Sequence, residues 1–145
     1  MSKHLIALAL TLSFGFAGSA VAADAMSKDA YKSAKDKIEE TAKADKKACQ
    51  AMKDNAKDIC QAEAKAKEKI AKAELDAQNK PGPKADEKVA LMKAEGAYEV
   101  AKEKCEDQKG KAMAACKKDA KTAHNKAKAD IRASAKPAKD AAKKS

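Results

Sequence analysis

The stretches CQAMKDNAKDIC, residues 49–60, and CEDQKGKAMAAC, residues 105–116, decide how this chain is read. Each opens and closes on cysteine, with a step of eleven residues. The outer cysteines, Cys49 and Cys116, share a midpoint with the inner ones, Cys60 and Cys105. That midpoint falls inside Pro81-Gly82-Pro83, the only Pro/Gly cluster of the chain. A chain that reverses there brings the cysteines together in two pairs.

The sequence around these stretches is helical in character. Alanine, lysine and glutamate dominate it, and all three are strong helix formers. Ser27 suits a helix N-cap, and Asp29 complements the positive end of the helix dipole. No proline or glycine follows until Pro81. Asn79 and Pro81 mark a stop, Pro83 is tolerated in a first helical turn, and Asp86 and Glu87 suit the next helix start. The spacing therefore predicts a helix over 27–79, a turn over 80–83 and a helix over 84–132. Gly96 and Gly110 lie inside the second helix, either as tolerated losses or as points of close approach or kinking. Pro137 and its Ala/Lys/Ser surroundings read as a disordered basic tail over 133–145.

Helix geometry then constrains the cysteines. Two residues eleven apart on one continuous helix are about 16 Å apart, beyond the roughly 7 Å reach of bridged Cα atoms. That excludes Cys49–Cys60 and Cys105–Cys116. Cys49–Cys105 with Cys60–Cys116 needs parallel helices, which a short turn forbids. The expected bridges are Cys49–Cys116 and Cys60–Cys105. The expected fold is all-α, a long antiparallel helical hairpin with two inter-helix disulfides. Reduction is expected to lower its helicity or melting temperature. A shift of 56 also aligns the two cysteine stretches, with Lys53 on Lys109 and Ala56 on Ala112. Internal duplication explains this, and so does chance in a Lys/Ala-rich chain.

The N-terminus bears on compartment. Lys3, an apolar run from Leu5 to Phe16, and Ala20-Val21-Ala22 form the pattern of a secretory signal peptide over 1–22. Cleavage near Ala22 and a periplasmic location are expected. In an oxidising compartment an even number of cysteines reads as disulfides. The remaining residues, 23–132 as hairpin and 133–145 as tail, hold two tyrosines and no other aromatic residue. Such a composition builds narrow helix contacts rather than a large core.

The cysteine spacing resembles the twin cysteine-x-nine-cysteine helical hairpins of the mitochondrial intermembrane space, with ten intervening residues instead of nine. The whole chain resembles the TolA-like Ala/Lys-rich exported proteins of bacterial envelopes. That resemblance implies an envelope location and a helical form.

Chemistry is sparse. Beyond the signal segment His124 is the only histidine, expected on solvated surface, and no nucleophile set, phosphate loop or zinc spacing occurs. No catalytic residue and no cofactor is expected. Met52 and Met113 flank the outer cysteines, so Cys49, Met52, Met113 and Cys116 form a candidate soft-metal set for Cu(I) or Ag(I). Charge is uneven: residues 117–145 hold ten basic and three acidic residues, against a near balance over 23–116. Lys117, Lys118, Lys121, Lys126, Lys128, Arg132, Lys136, Lys139, Lys143 and Lys144 are the candidate contacts to an anionic surface. The partners expected are lipid head groups, lipopolysaccharide phosphates or acidic envelope proteins. Export weighs against nucleic acid, and no aromatic residues interleave the lysines. Ile38, Ala42 and Cys49 on the first helix and Ala94, Tyr98 and Ala101 on the second belong to apolar stripes, through which two hairpins could pair as a homodimer. A non-enzymatic structural, interaction or stress-protective role is expected. A small chaperone or client-binding module that uses Val89-Ala90-Leu91-Met92 and Tyr98 is the alternative.

Overall fold

The computed structural model describes residues 26–144, with side chains through Lys136, and every regular element in that span is helical. The elements are α1 (Lys28–Ala48), α2 (Asp54–Asn79), α3 (Pro83–Cys105) and α4 (Gly110–Lys144). A 3-10 turn, Cys49–Ala51, follows α1. The all-α class and the presence of two disulfides agree with the sequence reading. The signal segment, 1–22, lies outside the described residues.

Local chemistry sets the start of α1 and the turn between α2 and α3. The Ser27 hydroxyl accepts from the amide of Ala30 at 3.2 Å and caps α1. Gly82, at φ 148°, reverses the chain, and Pro83 opens α3. Around this turn α2 and α3 run antiparallel. Lys88 meets Asp76 at 2.6 Å, Lys93 meets Glu74 at 2.8 Å, and Lys104 meets Glu63 at 3.9 Å. A Cβ added at Gly96 would lie 2.8 Å from the Cβ of Ala66. Gly96 is therefore a point of close approach, where any larger residue must push α2 away.

The expected continuous helices are broken, and this corrects the bridge pairing. The disulfides are Cys49–Cys60 and Cys105–Cys116, with Cα separations of 5.5 and 5.7 Å. Cys49–Cys116 and Cys60–Cys105 do not form. The elimination assumed a straight helix between cysteines eleven apart. Instead the chain turns back between them, so a span of about 16 Å along a helix closes to bridging distance. The shared midpoint was no evidence for pairing across the hairpin, because equal spacing alone produces it. Met52 and Lys53 are extended, Asp54 has φ 52°, and α2 starts there without a side-chain cap. At the second corner Gly110 has φ 58°. Asp54 and Gly110 correspond at the shift of 56, so backbone geometry joins sequence in marking a repeat. Gly110 is a corner residue, not a loss within a helix.

The result is an open four-helix meander. α1 packs on α2, α2 on α3 and α3 on α4, and among the described residues no other helix pair is in contact. Both stapled corners lie at one pole. The Pro-Gly-Pro turn and the start of α1 lie at the other. The buried residues are few and mostly small: Ala42, Cys49, Ala64, Ala73, Leu75, Gly96 and Cys105.

Helical backbone continues in α4 through Lys144. Propagating a helix costs much less than starting one. Packing of the first part of α4 on α3 supplies the start. Ala-rich sequence then carries the helix past Pro137, which removes one amide donor.

Candidate functional site: the stapled pole and the basic face of α4

The two corners are tied to each other. The Asn55 side-chain amide donates to the Glu103 carbonyl at 2.7 Å and to the Asp107 carboxylate at 2.8 Å. Cys49 and Cys105 are each 1% exposed, and each bonds a half-buried partner at the base of the following helix. The candidate soft-metal set is not assembled. Cys49 and Cys116 belong to separate bridges, and Met52 is 46% exposed. Among the described residues no group of three or more His, Cys, Asp or Glu side chains is placed to hold a metal ion.

The first hairpin is held across its seam by charge. Glu68 accepts from Lys46 at 2.6 Å and from Lys72 at 2.8 Å, and Lys72 reaches Glu39 at 3.1 Å. These hydrogen bonds, Lys46 first, hold the Glu68 carboxyl at about 2 despite partial desolvation. The Tyr31 hydroxyl donates to Asp76 at 2.6 Å. Lys88, then Tyr31, lowers the Asp76 carboxyl below its ordinary range. Between α1 and α2 lies an open groove of about 430 Å³. Ala34, Ile38, Ala42, Ala64 and Leu75 are among its lining residues.

The second hairpin is held by rings. Tyr98 and His124 stack with centroids 4.6 Å apart and planes 5° from parallel. Lys102 sits 5.4 Å from the tyrosine ring centroid. The His124 side chain is 9% exposed, with Nε2 3.0 Å from Glu95 Oε2 but without an aligned hydrogen bond. The expectation of a solvated His124 is corrected. The cause is Tyr98 one helix away, which sequence periodicity does not reveal.

All ten candidate cations lie on α4. Lys117 pairs with Glu106, and Lys126 pairs with Asp130 at 2.7 Å. Lys118, Lys121, Lys128, Arg132 and Lys136 have no ion-pair partner among the described residues. They follow one another at steps of three, seven, four and four. At 3.6 residues per turn this places all five within an arc of about 80° on one face of α4. Asp119 and Asp130 fall well outside that arc. Lys139, Lys143 and Lys144 lie where helical backbone is described but side chains are not. No helix among the described residues is long and apolar enough to cross a membrane. Two disulfides suit an oxidising compartment.

Comparison with known proteins adds no relative. The chain matches no family model, no curated protein and no solved structure.

Proposed function

We propose that this is a non-enzymatic protein of the bacterial periplasm that engages anionic envelope surfaces through α4. The observation that carries this reading is the row of five unpaired cations on one helical face. Cations so aligned, exposed except for the half-buried Lys128, attract phosphate-rich surfaces over about a Debye length, and salt screens the attraction. Lipid head groups and lipopolysaccharide phosphates are the envelope anions this face suits. The Cys105–Cys116 bridge ties the start of α4 to α3, so the row is presented on a packed support.

Sedimentation with anionic vesicles tests the reading. Binding at low salt is expected for the intact protein and not for K121E/K128E/R132E. K126A, which removes an already paired cation, should leave it nearly unchanged. Equal binding by the intact protein and the triple variant rejects the proposal. A second reading, a small client-binding module, is favoured by the groove between α1 and α2. It predicts that the protein suppresses aggregation of a model client, and that a bulky residue at Ala71, which also lines that groove, abolishes the effect.

A further inference from the structure

The first corner is not favoured by its own sequence. Residues 49–60 contain neither proline nor glycine, and half of them are good helix formers. Yet Asp54 occupies the left-handed region and α2 begins uncapped, which leaves its first amides to solvent. The second corner uses a glycine, which a continuous helix tolerates at modest cost. The groove beside Ile38 and Leu75 shows that α1 and α2 fill their seam poorly.

A different partner is available to α1. The ion pairs Asp76–Lys88, Glu74–Lys93 and Glu63–Lys104 fix the register of α2 against α3. Continued beyond the corners, that register sets Ala42 against Ala123, Ile38 against Ala127 and Ala34 against Ile131. All six are apolar, and on each helix they recur every four residues. Each would exchange one antiparallel neighbour for another of the same character.

We propose that the two bridges set the shape of the molecule. With both opened, the corners straighten and the four-helix meander becomes a two-helix rod, 28–79 against 83–144. Each S–S bond takes two electrons and two protons from a dithiol reductant and becomes two thiols, while the dithiol closes to its own disulfide. Straightening both corners together is what gives α1 and α4 each other as partners. The bridged form is short because a bridge between residues eleven apart cannot exist on a straight helix.

Small-angle scattering and circular dichroism on the oxidised protein, the dithiothreitol-reduced protein and a variant with all four cysteines changed to serine decide the matter. The maximum dimension is expected to rise from about 55 Å, near the length of α4, to about 90 Å in both thiol-free and reduced samples. Ellipticity at 222 nm should hold or increase, and forward scattering should correspond to a monomer. An unchanged dimension overturns the proposal, since the corners then stand without their bridges. Loss of more than a quarter of the ellipticity also overturns it, because the opened chain is then unfolded. Length gained by dimerisation, seen in the forward scattering, does the same.

Discussion

The α1–α2 and α3–α4 hairpins share one plan and fill it differently. At the offset of 56, Ala42 corresponds to Tyr98, Glu68 to His124, Glu39 to Glu95 and Lys46 to Lys102. In the first hairpin the seam carries the chain Glu39–Lys72–Glu68–Lys46 over an open groove. In the second, stacked rings occupy the corresponding place. Corner geometry differs in the same sense. A left-handed residue is required at both corners, and it is aspartate in one and glycine in the other. The backbone plan therefore tolerates either charge or ring packing at its seam. The first hairpin depends more on its bridge.

Cutting one bridge at a time tests that dependence most strongly. Closing a loop of eleven residues contributes about 3 kcal/mol in the chain-entropy model, so both C49S/C60S and C105S/C116S should melt at lower temperature. Scanning calorimetry should show the larger drop for C49S/C60S, whose hairpin lacks the ring stack and the glycine. Equal drops would mean the hairpins are equivalent after all. A smaller effect comes from exchanging corner residues. D54G should gain about 1 kcal/mol by relieving the left-handed aspartate, and G110A should lose about 1 kcal/mol. Urea unfolding reads both, and changes of the same sign would contradict the account of the corners.

The smallest effect concerns acid. The folded carboxyl of Glu68, at about 2, lies below its ordinary value of 4.5. A lowered carboxylate stabilises the fold fully above the unfolded value and loses that contribution as pH falls through the folded one. The melting temperature should therefore drop between about pH 5 and pH 2, and by less in E68Q. Matching profiles for the two proteins would show that the charge chain does not hold the first seam.

Much of the helical layout was legible in local chemistry. Ser27, Asn79 and Pro83 act on their own neighbours, and a single sequence reveals such effects. Gly96 was legible as one of two alternatives, and the packing of Ala66 decides between them. The corners were hidden. Residues 49–60 offer no breaker, and a bridge between residues eleven apart is what makes the bend hold. Asp54-Asn55 could have raised the alternative, since both residue types tolerate left-handed backbone. Gly110, which falls on Asp54 at the same offset, would have strengthened it. The row of cations on α4 was legible as composition. Its alignment emerged only once partners could be assigned to Lys117 and Lys126.

Asn55 has a consequence beyond its own corner. It supplies a cap to a last-turn carbonyl of α3 from 48 residues upstream. A helix end normally frays alone, but this one cannot release without disturbing the neighbouring hairpin. In deuterium the amides flanking both bends should therefore exchange as one unit, a shared latch rather than two separate ends.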